Sequence, residues 1–123
     1  MEKHQVINIE ALLQITGGDK ELFCMLMDLF IEIAPEQLNK IEKAFADKNA
    51  VELIAAAHDL KSSASSFAGE ILYNLALAVE QNAKNKLDLN LISFMIKDID
   101  KSIQSTISFY KSRSWESEFK EEL

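Results

Sequence analysis

Apolar and polar positions alternate with a helical period along nearly the whole chain. From Asp19 the residues Leu22, Leu26, Leu29 and Ile33 recur at spacings of four, three and four, and a second row, Phe30, Ala34, Leu38, Ile41 and Phe45, carries the pattern on. The spacing predicts one long helix. Pro35 lies inside it and cannot donate to the carbonyl of Ile31, so a kink is expected there, with a break into two helices as the alternative. Ahead of it, Asn8 caps a short helix to about Thr16, Gly17-Gly18 stops that helix, and Asp19 caps the next. Asp47-Lys48-Asn49 reads as a short connection, with Asn49 capping a helix to about Phe67, after which Ala68-Gly69 turns the chain. Leu72, Leu75 and Val79 mark a helix from about Glu70 to Lys84, ended by Asn85-Lys86. Ile92, Met95 or Ile96, Ile99, Ile103 and Ile107 mark a last one, from near Asp88 to Tyr110 or beyond.

Four substantial amphipathic helices joined by short loops predict an all-α fold, an antiparallel up-and-down four-helix bundle with the short extra N-terminal helix lying across one end. Residues 1–112 form this bundle. Residues 113–123 are a charged C-terminal tail or helix extension in which Trp115, Phe119 and Leu123 fall four apart, and a partly ordered end is expected.

Composition narrows the picture further. Three glycines and one proline are too few to build the turns of an all-β domain. With 48% apolar and 27% charged residues the chain is globular and not disordered, and folding hides about two-thirds of its surface. The 13 basic against 20 acidic residues give a charge of −7 with no dense basic stripe, which opposes nucleic-acid binding. Cys24, the single cysteine, removes any internal disulfide or thiolate zinc cluster and fits a reducing compartment. The N-terminus lacks the apolar core of a signal peptide, and the most apolar stretch, Leu22 to Ala34, is broken by Asp28 and Glu32 and too short to span a bilayer. A cytoplasmic address and no membrane partner are expected.

The third helix carries the candidate chemistry. Leu53, Ala57, Leu60, Ala64 and Phe67 share its core face. The opposite face reads Val51, Ala55, His58, Ser62 and Ser65, where a solvated helix would show Lys, Glu and Gln. His58 therefore points outward among small uncharged side chains, with Glu52 and Asp59 along one edge and Lys61 along the other. Small neighbours let another protein's backbone approach the ring, and an exposed imidazole, largely neutral at pH 7, is a competent nucleophile. Lys61 is placed to balance the charge of a phosphoryl group held on the ring.

The run Ala57-His58-Asp59-Leu60-Lys61-Ser62-Ser63-Ala64 resembles the signature of histidine-containing phosphotransfer (HPt) domains, in which Leu-Lys stands two and three positions after the histidine. Gly17-Gly18-Asp19, Leu29 to Pro35 with its alanine-proline step, and Leu72-Tyr73-Asn74-Leu75 ahead of Val79-Glu80 are similar to further landmarks of that family, so the likeness spans about residues 8 to 110. Two positions depart from it. Ser62 replaces the glycine usual one turn after the histidine, and Ala68 replaces the glycine usual in the following turn, where the neighbouring Gly69 is read as shifting the turn by one residue.

The resemblance implies a phosphorelay intermediate that carries a phosphoryl group on His58 between receiver-domain aspartates. Its partners would be the receivers of a hybrid histidine kinase and of response regulators. It implies no cofactor on this chain, with Mg²⁺ on the receiver, and a docking surface that includes Ala55, Ser62 and Ser65 on the histidine helix with Ile9, Leu13, Leu22 and Leu26 beside it. A monomer is expected, and Met1 and the charged tail are read as those of a free-standing module. No glycine-rich phosphate loop, catalytic Asp or metal-ligand set accompanies the histidine, so neither kinase nor ATPase activity is expected. The alternative is a non-transferring adaptor of the same shape that binds receivers or partner helices. His4 reads as a tail histidine and Cys24 as a small core filler. Ser62, Ser63, Ser65 and Ser66 lack the elbow glycines and carboxylate of a hydrolase, and the two histidines and one cysteine lie too far apart for a metal site.

Overall fold

Each helix start foreseen from a short polar side chain is built by that side chain. In the computed structural model, which describes residues 6–119, α1 (Ile9–Thr16), α2 (Lys20–Ala46), α3 (Ala50–Ser65), α4 (Glu70–Asn85) and α5 (Leu89–Ser112) follow in order, then a 3-10 turn over Ser114–Glu118. The side chains of Asn8, Asp19, Asn49 and Asp88 accept from the backbone N–H groups of Ala11, of Glu21 and Leu22, of Glu52 and of Leu91. Each satisfies donors that a first helical turn leaves without an internal partner. Gly17, at φ 64°, closes α1 in the left-handed conformation.

The fold is all-α, with no strand among the described residues. α3 packs most extensively on α4 and next on α2, and α5 closes the ring against α4 and α2. Ala57 and Ala64 on α3 share the face of Lys61, and Ala76 and Ala83 on α4 that of Glu80; all four are buried, and such small residues along the α3–α4 seam let two helices approach closely. α1 closes the end of the bundle that bears the α3–α4 turn. There the Asn8 N–H donates to the Ala68 carbonyl at 2.8 Å, and Asn8 Nδ2 donates to Glu70 Oε2 at 2.8 Å.

α2 runs through Pro35 without interruption. Proline forfeits one hydrogen bond, and the burial of Phe30, Ala34 and Ile41 on either side keeps both halves in one helix. Of the two apolar rows on α2, the one containing Phe30, Ala34 and Ile41 faces the core and extends back to Phe23 and Met27. The other does not: Leu29 is 54% exposed, and Leu22, Leu26 and Ile33 are only half-buried.

Two sequence expectations are corrected. The turn after α3 is not shifted onto Gly69: Ala68 itself takes the left-handed conformation at φ 62°, while Gly69 has φ −81°. Gly69 is needed for space instead, because a Cβ there would lie 2.6 Å from Phe67 Cε1. Residues 113–119 are neither a frayed end nor a helix extension. Arg113 turns the chain at φ 59°, and the 3-10 turn buries Trp115 and Phe119 against Phe23, with ring centroids 4.7 and 5.4 Å apart. Trp115 Nε1 donates to the Tyr110 carbonyl at 2.8 Å. A straight continuation of α5 would have left that aromatic pair in water, so the reversal at Arg113 is favoured by their burial. Leu123 and His4 lie outside the described residues.

Candidate functional site

The outward strip of α3 stands where the wheel puts it: Val51, Ala55, His58, Ser62 and Ser65 are all exposed, while Leu53, Ala57, Leu60, Ala64 and Phe67 are buried. The His58 side chain is 57% exposed. Its flanks are set by the neighbouring helices. On the α2 side, Gln37 Nε2 donates to Ser63 Oγ at 3.0 Å and to the Asp59 carbonyl at 3.5 Å. On the α4 side, Glu80 rises from the core stripe beneath the ring.

Glu80 organises the site. Its side chain is only 7% exposed, and its Oε2 lies 3.5 Å from His58 Nδ1. Lys61 Nζ stands 2.8 Å from Glu80 Oε1, and Lys84 Nζ stands 3.4 Å from Oε2, the oxygen that faces the histidine. A carboxylate this buried persists as a charge only when paired, and the two ammonium groups supply the pairing. The Lys61 ammonium beside it holds the Glu80 carboxyl below the usual carboxylate range; burial works against this, and Lys84 adds to it. The same ion pair with Glu80 raises Lys61 above the ordinary lysine value.

Lys61 is therefore turned away from solvent, with its side chain 17% exposed, whereas Lys84 is 53% exposed. Sequence reasoning missed both Glu80 and Lys84. The signal was present: Glu80 falls four residues after Ala76 and three before Ala83, on the buried stripe of α4, and a charge on a core stripe needs a partner. Lys84 follows Glu80 by four, the spacing of an intrahelical ion pair.

The remaining candidates divide by place. Leu22 and Leu26 are half-buried on α2, with Met25 and Leu29 exposed beside them. Leu13 is half-buried against the core. Ile9 lines a cleft of about 730 Å³ between α5 and the C-terminal turn, together with Phe109 and Trp115, away from the histidine helix. The α1 residues that flank Ser65 are Ala11 and Ile15, in a shallow cleft shared with Gly69 and Tyr73. Cys24 is half-buried and packs on the core. Among the described residues no three His, Cys, Asp or Glu side chains converge as metal ligands, and no helix is long and apolar enough to cross a membrane.

A buried anion under an exposed imidazole, with two cations beside it, suits chemistry on a group that carries negative charge. A family model described as the Hpt domain matches residues 25–105, a span that holds His58, Lys61, Glu80 and Lys84 and leaves out α1 and the C-terminal turn. No curated protein and no solved structure matches the chain. Because that match covers the greater part of the sequence and the exposed histidine with its surroundings, the chain belongs to the Hpt domain family, whose members carry out histidine phosphotransfer in phosphorelay signalling.

Proposed function

We propose that His58 is the phosphoacceptor of a phosphorelay intermediate, taking a phosphoryl group from the aspartate of one receiver domain and giving it to that of another. The receivers would belong to a hybrid histidine kinase and to response regulators. The observation that carries this reading is the contact of His58 Nδ1 with Glu80 on a ring otherwise open to solvent. A carboxylate at Nδ1 favours the tautomer that keeps its proton there, which leaves the Nε2 lone pair free on the exposed side of the ring.

The reaction then needs alignment more than chemistry from this chain. The Nε2 lone pair forms the N–P bond and the P–O bond of the aspartyl phosphate breaks. The carboxylate leaves with that electron pair, and the Nδ1 proton stays between ring and Glu80. Return transfer reverses each event. Any Mg²⁺ is brought by the receiver. Lys61, pinned to Glu80, holds the carboxylate in place and adds positive charge beside the ring. The small side chains of Ala55, Ser62 and Ser65 admit the receiver, and the half-exposed Leu22 and Leu26 on α2 give it an apolar footing with Leu13 nearby. The protein works as a monomer and as a carrier, without kinase or ATPase activity, in a reducing compartment such as the cytoplasm that suits its one cysteine.

The test is uptake of label from a phosphorylated receiver. The wild-type protein should acquire acid-labile, alkali-stable phosphate, and His58→Gln should acquire none, because an amide is not a nucleophile. Folding of the variant should change by no more than about 0.5 kcal/mol, as for other exposed substitutions, and receiver binding should persist. Label on the His58→Gln protein would put the phosphate elsewhere. Receiver binding by the wild-type protein without any label would make it the non-transferring adaptor.

A further inference from the structure

The two lysines on Glu80 differ in a way that divides their work. Lys61 holds one carboxylate oxygen at 2.8 Å and is largely covered, whereas Lys84 reaches the other from 3.4 Å with half its side chain in solvent. That second oxygen is also the one His58 Nδ1 faces at 3.5 Å, so the Lys84 ammonium and the imidazole are neighbours across a single atom. One lysine is enough to neutralise Glu80. The site thus carries one cation more than its anion requires, on a protein whose net charge is −7.

A phosphoryl group on His58 changes the balance. It brings about two negative charges to the ring, next to a carboxylate that is itself buried and charged, and like charges this close repel. Lys61 cannot relieve this without uncovering Glu80. Lys84 can, because its flexible stem starts from the exposed side of α4 and its present contact is the longer of the two.

Resting on the reading of His58 as phosphoacceptor, we propose that Lys84 is the phosphoryl-binding cation of this site. It is shared with Glu80 when His58 is free and moves to a phosphoryl oxygen when His58 is modified, while Lys61 stays on Glu80. No bond other than those of the transfer itself is made or broken; only the ion pairing changes. Lys84 therefore sets how far the equilibrium between phosphorylated receiver and phosphorylated His58 lies toward this protein.

The experiment measures that equilibrium in the full chain with one phosphorylated receiver, for the wild type, Lys84→Ala and Lys84→Arg. Lys84→Ala should lower the phosphorylated fraction of this protein by roughly two- to five-fold in equilibrium constant, the scale of a solvent-facing charge pair. Added salt should pull the wild-type value toward that of the variant. Lys84→Arg should restore it, and the melting temperature of the unphosphorylated Lys84→Ala protein should stay near that of the wild type. Side-chain NMR supplies a readout that a structural role would not move: phosphorylation should shift the Lys84 ε-methylene and ammonium signals and leave those of Lys61 in place. An unchanged equilibrium constant in Lys84→Ala, or a shift confined to Lys61, overturns the proposal. Label that survives His58→Gln overturns instead the phosphoacceptor reading beneath it.

Discussion

Ala68 shows how a single residue can bear a conformation its type does not favour. Its φ of 62° lies in the left-handed region, where a side chain crowds the following carbonyl, and nothing but the fold holds it there. The fold does so because Asn8 donates to its carbonyl and Gly69 leaves room for the Phe67 ring. Ala68→Gly should therefore stabilise the protein by about 1 kcal/mol, the left-handed penalty less the entropy glycine adds to the unfolded chain. Equilibrium urea unfolding measures this, and a lower midpoint would mean that the alanine methyl packs more favourably than its backbone is strained. At the same scale His58 was legible in the sequence, since three- and four-residue spacings alone set which face it shares. The state of Lys61 was not, because its partner Glu80 is nineteen positions away on another helix.

Between elements, the α3–α4 seam couples the site to stability. Glu80 sits among the alanines of that seam with its carboxyl held below the usual range, so in the folded state it releases its proton more readily than in the unfolded chain. Such a group contributes stability that is present above its ordinary pKa of 4.5 and is lost as pH falls through the lower folded value. Glu80→Gln should thus be less stable than wild type at pH 7 and should lose less on acidification below about pH 4.5. Denaturant midpoints across that range test the sign, and parallel acid limbs in the two proteins would show that the carboxylate is not linked to folding. At this scale the sequence was readable at the helix ends, where Asn8, Asp19 and Asn49 cap locally. It was ambiguous on α2, where two apolar rows of equal quality ran side by side and only packing chose between them.

For the molecule as a whole, the C-terminal turn extends the core beyond the four-helix bundle. Trp115 and Phe119 cover Phe23 at the start of α2, and Trp115 also stacks on Tyr110 at 5.6 Å. Trp115→Ala should cost about 3–5 kcal/mol, the usual loss for a buried aromatic, while the fraction that remains folded still takes phosphate at His58. Calorimetry paired with the labelling assay separates the two effects, and an unaltered melting temperature would return these residues to the status of a loose tail. The sequence by itself determined the all-helical class, the order and caps of the helices and the outward histidine, because periodicity and capping act within a few residues. Only the tertiary structure decided which α2 row is core, that the chain doubles back at Arg113, and that Glu80 gathers His58, Lys61 and Lys84. Each of these joins residues from different helices, and no local spacing records which helix will stand beside which.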